Sequence, residues 1–476
     1  MKKLINWLIP LALVALTFTV RLYKIDNPVA DWHSWRQADT AAVARNFVKA
    51  DFNLLFPQSD SFLALNEYGL ENPNRWFINE FPFYNAIVAV VYQNFGINVT
   101  YARLVSVALA TLGALCLYFL TRSLFSPKVA VLAGLYYALN PYSIYYGRVI
   151  MPDPAFVALS IASLYLTYLW TKKPKWITAG LLGITFGLAL LVKPYAIFLS
   201  IPMLYWVLVN RGVAVVKDKQ AYFIAAISLI PFLLWRWHYA MRPEGTFAST
   251  WLLNGDNIRF TGAFFRWLIF ERLNRLIFAT GGFVLFVLGI PASLRKNKAG
   301  TLILMWLLSV ALYMTIFAKG NVNHDYYQIP VVPVGSILVS LGFWWLVDQS
   351  KRGFNKLVSL VLALSLLLIS LAFGWYEVRG YFNINHPEIV AAGLAADKLL
   401  PAEAIVIAPY DGDPAFLYQT NRYGWPDGVE IEEKIAKGAT AYVSVNYDDV
   451  AQFLENKCTL VAKTGDYLII DLTNCK

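Results

Sequence analysis

Four polar residues follow the first apolar run of the chain, and they could carry out acid–base chemistry. Asp31, His33, Arg36 and Asp39 come directly after the run 4–20 and are interleaved with tryptophans. Carboxylates and imidazoles exchange protons, and a guanidinium binds anions. Ionisable residues near membrane depth are functional candidates by default. We therefore expect this stretch to hold a polar reacting group at a membrane surface.

Three further charged or polar segments recur between later apolar runs. Asp153 stands in Met-Pro-Asp-Pro, Lys193 ends an apolar run before a proline, and His324 begins a segment with two tyrosines. We expect Lys193 to contact a phosphate, because a compact ammonium suits that anion. His324, Asp325 and Tyr327 are predicted to contact a polar headgroup.

A structural role is the alternative for each of these residues. Residues 40–48 can form a helix, which would make Asp39 an N-cap, and Pro154 makes Asp153 another candidate N-cap. Lys193 could extend its ammonium to the membrane surface, and interfacial tyrosines are ordinary in membrane proteins. The loop 241–275 is rich in arginine but gives no more specific prediction than covering a cavity or contacting substrate.

The composition identifies the class of protein that must position these residues. Of 476 residues, 58% are hydrophobic and only 15% are charged, whereas soluble proteins have about 25% charged residues. The chain is therefore predicted to be an integral membrane protein. Its net charge of +10 lies in short Lys/Arg clusters between apolar runs, which indicates membrane topology and excludes a nucleic-acid-binding face. Four His and three Cys are too few and too scattered for a zinc cluster.

Eleven apolar runs are long enough to cross a membrane as helices. They are 4–20, 104–121, 129–147, 154–171, 176–192, 194–210, 220–235, 276–294, 299–318, 329–347 and 357–375. The first run resembles a signal peptide but lacks a clear cleavage site, so we expect it to be retained. Residues 81–97 are more polar, and we predict an interfacial or re-entrant helix there.

The basic residues predict which side of the membrane each loop faces. With eleven spans, sixteen Lys and Arg residues fall in six short segments on one face, which is then cytoplasmic. These are Lys2, Lys3, Arg122, Lys128, Lys172, Lys173, Lys175, Arg211, Lys217, Lys219, Arg295, Lys296, Lys298, Lys351, Arg352 and Lys356. The N-terminus is therefore predicted to be cytoplasmic. The candidate site residues and the C-terminus are predicted to be extracytoplasmic, on a cytoplasmic (inner) membrane of bacterial type.

The predicted fold class is an α-helical polytopic membrane protein with a small extracytoplasmic α/β domain at the C-terminus. The predicted domains are 1–380, which includes the aromatic-rich first loop 22–80 with interfacial helices, and 385–476. In the second domain, alternating residues predict strands and a hairpin around Gly465-Asp466. Cys458 and Cys475 lie near the ends of that hairpin, so a disulfide is geometrically allowed, although spacing alone leaves it open.

Four motifs resemble the GT-C superfamily of membrane glycosyltransferases. His33-Ser-Trp-Arg-Gln-Ala-Asp-Thr-Ala41 is similar to its first-loop acidic motif, and Glu80-Phe-Pro-Phe-Tyr84 to the segment that closes this loop. Met151-Pro-Asp-Pro154 resembles the second acidic site, and His324-Asp-Tyr-Tyr-Gln-Ile-Pro330 the His-Tyr-Tyr-Pro element. The greatest similarity is to the bacterial branch related to protein O-mannosyltransferases and aminoarabinose transferases (glycosyltransferase family 39-like), over about residues 1–375.

The resemblance implies an inverting transfer of a sugar from a polyprenyl-phosphate donor to an acceptor at the outer membrane surface. Asp39 would be the general base that deprotonates or orients the acceptor hydroxyl. Asp153 would assist it, or hold acceptor or metal. The residues expected to bind donor phosphate or substrate are Lys193, His324, Tyr327, Arg148, Arg36, His33 and Glu80. Glu80 stands near a position that is basic in some relatives, which favours a contact to the sugar over one to the phosphate.

The implied partners are the polyprenyl-phosphate sugar, the lipid bilayer, and a glycan, lipid or protein acceptor. No cofactor is certain, and a divalent metal ion would have Asp39 and Asp153 as ligands. A transporter or lipid flippase is the alternative from another class, although such proteins favour repeated halves and charges near the bilayer midplane. An inactive scaffold is a third interpretation, against which the two acidic residues argue.

Overall fold

The structure is a computed structural model that describes residues 2–348 and 355–475, with side chains from residue 7 onward. The predictions for Lys2 and Lys3 as cytoplasmic side chains, and for Lys351 and Arg352, lie outside the described part.

The described chain is mostly helical. The α-helices are α1 (Lys2–Val20), α2 (Ser34–Lys49), α3 (Phe83–Phe95), α4 (Val99–Leu124), α5 (Pro127–Leu139), α6 (Pro141–Tyr146), α7 (Asp153–Lys172), α8 (Trp176–Val192), α9 (Ser200–Arg211), α10 (Lys219–Ala240), α11 (Trp251–Asn254), α12 (Gly262–Arg266), α13 (Gly281–Leu294), α14 (Asn297–Ile316), α15 (Ala318–Asn323), α16 (Val331–Asp348), α17 (Lys356–Val378), α18 (Pro387–Leu399), α19 (Pro414–Gln419), α20 (Ile431–Ala436) and α21 (Asp449–Lys457). Short 3₁₀ segments include Pro194–Leu199 and Asp325–Gln328, and Trp267–Ile277 is a π-helix.

Among the residues that the structure describes, six helical stretches are long and apolar enough to cross a membrane, or up to seven if one bent pair is a single span. The six are Val99–Leu124, Asp153–Lys172, Lys219–Ala240, Asn297–Ile316, Val331–Asp348 and Lys356–Leu399. The bent pair is Gly262–Ile277 with Gly281–Leu294, at 114°. Trp7–Val20, Pro127–Leu139 and Trp176–Val192 are shorter apolar helices. The multi-pass class is confirmed, while the count of eleven spans stays a prediction.

The chain divides into two compact units, each of which combines separate parts of the sequence. The first, here called the membrane unit, comprises Met1–Ile25, Leu104–Trp237 and Ser249–Gly380. The second, the loop–sheet unit, comprises Asp26–Arg103, His238–Ala248 and Tyr381–Lys476. This grouping differs from the predicted limits 1–380 and 385–476, which stay a prediction about domains.

Helices of the membrane unit approach closely at glycines. A Cβ atom on Gly289 of α13 would lie 2.1 Å from the Leu338 carbonyl oxygen of α16. A Cβ on Gly342 of α16 would lie 2.0 Å from the Leu285 oxygen of α13. Small residues let two helix backbones pack at short distance. Such close packing drives helix association in lipid, where the hydrophobic effect does not.

The loop–sheet unit contains a five-stranded mixed sheet. Its strands are β1 (Ile405–Ile407), β2 (Tyr423–Trp425), β3 (Ala441–Ser444), β4 (Thr459–Lys463) and β5 (Leu468–Asp471), in the order β2-β1-β3-β5-β4. β1 is parallel to β2 and β3, with Ile405 beside Tyr423 and Val406 beside Ala441. β5 is antiparallel to β3 and β4, with Tyr442 opposite Ile470 and Leu460 opposite Ile470.

First-loop residues take part in the core of this sheet. Phe62 packs against the apolar cluster around Trp425 and Tyr442, and Ser61 forms a bridge with Gly424. An independent C-terminal α/β domain therefore stays a prediction. Cys458 and Cys475 form a disulfide, which settles the question that their spacing left open.

Candidate active site

Asp39 lies inside a helix, and the prediction that it caps one is wrong. α2 begins at Ser34, its N-cap His33 has a left-handed backbone (φ 57°), and no side chain caps the helix. Asp39 is in the second turn and only 3% exposed. Aspartate is typical of helix starts, but here residues 34–38 already belong to the helix, so a full helical turn precedes Asp39.

Asp31 anchors the start of α2 through a buried network. Its Oδ1 accepts a hydrogen bond from Gln37 Nε2 at 2.7 Å, and its Oδ2 one from Arg103 Nη2 at 3.2 Å. Arg103 also donates to the carbonyl oxygen of Asn27. The Asp31 and Arg103 side chains are fully buried. Because each charge has a partner of the opposite sign, the network holds the turn before Asp39 in place.

The surroundings of Asp39 favour its protonated form. Burial raises the pKa of Asp39 to about 8, and the negative charges of Asp413 and Asp60 add to this increase. The Arg36 charge and a hydrogen bond from the Trp35 side chain oppose it. Among the described residues, no donor bonds to Asp39 Oδ2, although the atom is buried. The carboxyl group therefore gains and loses a proton near neutral pH, as a general base must.

Arg36 and Glu80 form an ion pair next to this carboxyl. Arg36 Nη2 lies 2.6 Å from Glu80 Oε2, and the guanidinium lies 5.4 Å from the centroid of the Phe77 ring. His33 contacts Trp32 edge-to-face at 5.1 Å. The structure thus gathers His33, Arg36, Asp39 and Glu80 around α2, while their predicted contacts to substrate stay a prediction.

The sequence analysis did not identify a buried ion pair between Arg45 of the same helix and Asp60 of the first loop. Arg45 also donates to the Tyr418 carbonyl oxygen at 3.1 Å and lies 4.2 Å from the centroid of that ring. Tyr418 belongs to α19, which packs against α2. Asp413 is the N-cap of α19, and its Oδ1 accepts from the Ala415 amide at 2.7 Å. No local sequence signal pairs these distant positions.

In the membrane unit, Asp153 and Lys193 face each other in the interior. Lys193 Nζ lies 3.8 Å from Asp153 Oδ2, and the residues are 4% and 1% exposed. Pro152 is the N-cap of α7 and Asp153 its first helical residue, so the predicted capping role of Asp153 is wrong. Lys193 is buried, so the expectation that its ammonium extends to the surface is wrong. The Asp153 carboxylate balances its charge, as a buried ammonium requires.

Aromatic rings surround the Lys193 ammonium. Its Nζ lies 5.9 Å from the centroid of the Tyr195 ring and 6.0 Å from that of Tyr327. His324 stacks on Tyr326 and Tyr327, with ring centroids 5.3 and 5.7 Å apart. The structure therefore brings together Asp153, Lys193, Tyr327 and His324, which the sequence places in three separate segments.

Arg148 is fully buried and bonded to the backbone. Its Nη1 donates to the Lys24 carbonyl oxygen at 2.7 Å, and its guanidinium lies 5.4 Å from the centroid of the Tyr145 ring. These contacts fix the segment that precedes α7. The predicted contact of Arg148 with the donor phosphate stays a prediction.

An apolar cavity begins directly after Lys193 in the chain. The cavity is partly open to its surroundings, and the empty space of about 400 Å³ includes that open part. The lining residues are Phe156, Val157, Ser160, Tyr195, Ala196, Phe198, Leu199, Trp306, Ser309, Val310, Tyr313, Pro330 and Pro333. Tyr195 and Tyr313 stack within it, with centroids 4.4 Å apart. A cation next to an apolar cavity is suited to an amphiphile with an anionic head and a hydrocarbon tail.

The described residues contain no group of three or more His, Cys, Asp or Glu side chains arranged to hold a metal ion. Asp39 belongs to the loop–sheet unit and Asp153 to the membrane unit. A divalent ion with these two ligands stays a prediction.

Comparisons with known proteins identify the fold. A family model described as dolichyl-phosphate-mannose-protein mannosyltransferase matches residues 79–237, about a third of the chain. No curated protein sequence matches the chain significantly.

Among solved structures, ArnT from Cupriavidus metallidurans bound to undecaprenyl phosphate is 15% identical, with a TM-score of 0.64 over 98% of each chain. The oligosaccharyltransferase AglB from Archaeoglobus fulgidus, in complex with an inhibitory peptide and a dolichol-phosphate, is 13% identical with a TM-score of 0.57 over 96% of this chain and 74% of that one. The arabinofuranosyltransferase AftD from Mycobacteria is 12% identical with a TM-score of 0.57, over 98% of this chain and 40% of that one. The predicted resemblance is confirmed, and the chain has the fold of GT-C membrane glycosyltransferases.

Proposed function

We propose that this protein is an inverting glycosyltransferase that moves a sugar from a polyprenyl-phosphate donor to an acceptor at the outer face of a cytoplasmic membrane. The observation that carries the proposal is the buried Lys193 ammonium, which lies beside the ring of Tyr195, a residue that lines a partly open apolar cavity. That combination fits a lipid phosphate, whose head needs a cation and whose tail needs an apolar surface. ArnT bound to undecaprenyl phosphate and AglB with a dolichol-phosphate support this donor class.

The membrane unit would bind the donor phosphate. Sugar transfer leaves negative charge on that phosphate, and a cation fixed in a dry site stabilises such charge more than water does. Lys193 would supply the cation, with Tyr327 and His324 next to it, and Arg148 would support the segment before Asp153. Asp153 would balance Lys193 when no donor is bound, which adds a role to those implied by the resemblance.

The loop–sheet unit would supply the base. Asp39 would take the proton of the acceptor hydroxyl, which it can do because its pKa of about 8 lets the carboxyl change protonation near neutral pH. Arg36, His33 and Glu80 would contact the sugar or acceptor around α2. A base opposite the leaving group enforces in-line attack and hence inversion. A bound divalent ion would act in addition to these residues.

The topology belongs to the same proposal. We infer eleven spans, a cytoplasmic N-terminus, and an extracytoplasmic α/β domain at 385–476. The disulfide between Cys458 and Cys475 supports the outer location, since disulfides persist in oxidising compartments. In intact cells, a membrane-impermeant maleimide should label these cysteines only after an impermeant reductant is added. Labelling that appears only after cell lysis would place the segment in the cytoplasm.

Sugar transfer tests the proposed activity directly. Membranes containing wild type, Asp39→Asn or Asp153→Asn would receive labelled sugar on undecaprenyl phosphate, and the labelled acceptor product would be measured. Loss of a general base should lower the rate about 10²–10⁴-fold. Asp448→Asn is a matched control, because Asp448 is an N-cap of α21 that accepts from the Ala451 amide, and asparagine keeps that bond. Transfer by Asp39→Asn at the wild-type rate would contradict the assigned base.

The alternative predicted from the sequence, a transporter or lipid flippase, is not favoured, because the similar solved structures include an oligosaccharyltransferase and an arabinofuranosyltransferase. The acceptor could be a glycan, a lipid or a protein. The same labelled product, after treatment with protease or extraction into organic solvent, assigns it to one of these classes.

A further inference from the structure

We propose that Asp325 is a positioning residue for the donor site: it attaches the turn that carries Tyr327 to α6 and thereby fixes the aromatic surface next to Lys193. This inference rests on the proposed function, because it concerns the same phosphate site. Asp325 lies between His324 and Tyr327, which are predicted to contact the donor.

Asp325 faces the protein interior. It is 2% exposed, and its Oδ1 accepts a hydrogen bond from Tyr146 Oη. Arg272 Nη1 lies 3.8 Å from Oδ2. The Asp325 carbonyl oxygen accepts from Tyr142 Oη at 2.6 Å. The sequence analysis grouped this carboxylate with the headgroup contacts, but these interactions with α6 and the π-helix Trp267–Ile277 describe an anchor.

The turn does not need Asp325 for its own shape. Gln328 Nε2 donates to the Asn321 carbonyl oxygen at 2.7 Å and to Asn321 Oδ1 at 3.0 Å, which closes the turn within its own segment. The Asp325 carboxylate instead reaches other elements. Asp325 therefore fixes the position of the turn relative to α6.

That position determines what surrounds the lysine. The Tyr327 carbonyl oxygen accepts from Tyr313 Oη at 3.1 Å, and the Tyr327 ring lies next to Lys193 Nζ. Tyr313 also lines the apolar cavity. A shift of the turn would therefore move Tyr327 and disturb both the phosphate position and the beginning of the cavity.

A buried carboxylate is stable only in an arrangement that supplies its hydrogen bonds and a countercharge. Tyr146 is fully buried and packs edge-to-face on Tyr142, with centroids 4.8 Å apart. Arg272 is held over the Trp267 ring, 4.2 Å from its centroid. Since these partners are fixed, the carboxylate selects one position of the turn, whereas an apolar side chain would allow several.

The test measures binding of undecaprenyl phosphate to the purified full-length protein in nanodiscs, by native mass spectrometry, together with thermal unfolding. Asp325→Ala and Tyr146→Phe should each weaken binding about tenfold, the effect of losing one hydrogen bond to a charged group. Asp325→Asn keeps an acceptor oxygen for Tyr146 and should restore most of the affinity. The double variant Asp325→Ala/Tyr146→Phe should bind like Asp325→Ala alone, because the two changes remove the same hydrogen bond.

Tyr136→Phe is the matched control. Its hydroxyl is buried in the same unit and bonds to Ser370 Oγ at 2.8 Å, away from the turn. It should leave undecaprenyl phosphate binding unchanged, even if it lowers the unfolding temperature. Unchanged binding by folded Tyr146→Phe and Asp325→Ala would overturn the inference, as would equal weakening by Tyr136→Phe.

The same experiment separates this inference from the proposed function. A wild-type protein that binds undecaprenyl phosphate but transfers no sugar would refute the glycosyl transfer and leave the binding comparison valid. A wild-type protein that does not bind this lipid would refute the donor class and the positioning role together.

Discussion

The raised pKa of Asp39 predicts the pH dependence of transfer. A general base works only when ionised, so kcat/KM should rise with pH and level off above the pKa of about 8. With that pKa, about a tenth of the Asp39 carboxyls are ionised at pH 7 and about a hundredth at pH 6. The wild-type rate should follow these fractions, whereas an ordinary aspartate would give a flat profile over this range.

Asp413 provides a perturbation whose direction the structure determines. Its negative charge raises the pKa of Asp39, and its own pKa of about 6 means that it is ionised while Asp39 titrates. Asp413→Asn removes the charge, so the rising limb should move to lower pH and the rate at pH 7 should increase relative to the plateau. Asparagine caps helices as well as aspartate does, so α19 should be preserved. Arg36→Gln removes an opposing charge and should move the limb to higher pH.

The position of the limb depends on all charges around α2, not only on Asp413. Groups on the helix itself, on α3, on α19 and on the adjoining loops all contribute. The charged and titratable residues on these elements include Asp31, His33, Arg36, Arg45, Lys49, Asp51, Asp60, Glu80, Tyr84, Tyr92, Asp411, Asp413 and Tyr418. Because Asp413→Asn leaves the others in place, a shift of the limb can be assigned to one charge.

The assay is transfer of labelled sugar from undecaprenyl phosphate between pH 5.5 and 9, with kcat/KM measured for each variant. Asp448→Asn changes an equivalent N-cap on α21 and should keep the wild-type profile. A rate that does not change between pH 6 and 8 would refute the assignment of Asp39 as the base. A limb that Asp413→Asn moves to higher pH would refute the electrostatic reasoning.

Three further outcomes are expected. The folded-state pKa of Asp39 lies above its unfolded value, so the free energy of unfolding falls as pH rises from about 4 to 8. Asp39→Asn should therefore raise the unfolding temperature at pH 8, and the gain in the free energy of unfolding should be at most about 6 kcal/mol. Lys193→Gln removes the cation next to the cavity and should weaken binding of undecaprenyl phosphate, measured by native mass spectrometry, more than tenfold; unaltered binding would contradict its role. Arg103→Leu leaves the Asp31 carboxylate buried without its cation and should destabilise the protein by about 3–5 kcal/mol in thermal unfolding, whereas a loss below about 1 kcal/mol would contradict the network.

The sequence predicted the class of protein and the polar segments, because both depend on local signals. Apolar runs and short basic clusters identify membrane helices without any knowledge of their packing. Asp39, Asp153 and His324 each stand in a short continuous motif, and Lys193 ends an apolar run, so all four could be selected by their immediate neighbours in the sequence. The alternative that Asp39 and Asp153 are N-caps was wrong for both residues. Aspartate is common both at helix starts and in functional sites, so its position in the sequence does not distinguish the two roles.

The rest depends on pairs that are far apart in the chain. Asp325 and Tyr146 are 179 residues apart, and Arg45 and Tyr418 are 373 apart. Whether such groups meet is decided by how helices and strands pack, and hydropathy does not encode that packing. The same holds for Phe62, whose place in the core of the sheet could not be read from the aromatic content of the first loop.

Two buried ion pairs explain how the protein tolerates a carboxyl group as unfavourable as that of Asp39. A buried carboxyl group without a donor on one oxygen is favoured in its ionised form only if it moves to where water can reach it. The Arg103–Asp31 pair holds the chain before α2, and the Arg45–Asp60 pair holds its later turns, so both pairs oppose such a movement of the helix. We therefore expect the two ion pairs to matter twice, once for folding and once for keeping the pKa of Asp39 high. A variant that loosened either pair should lose stability and also move the rising limb of the pH–rate profile to lower pH, because water admitted to Asp39 favours its ionised form.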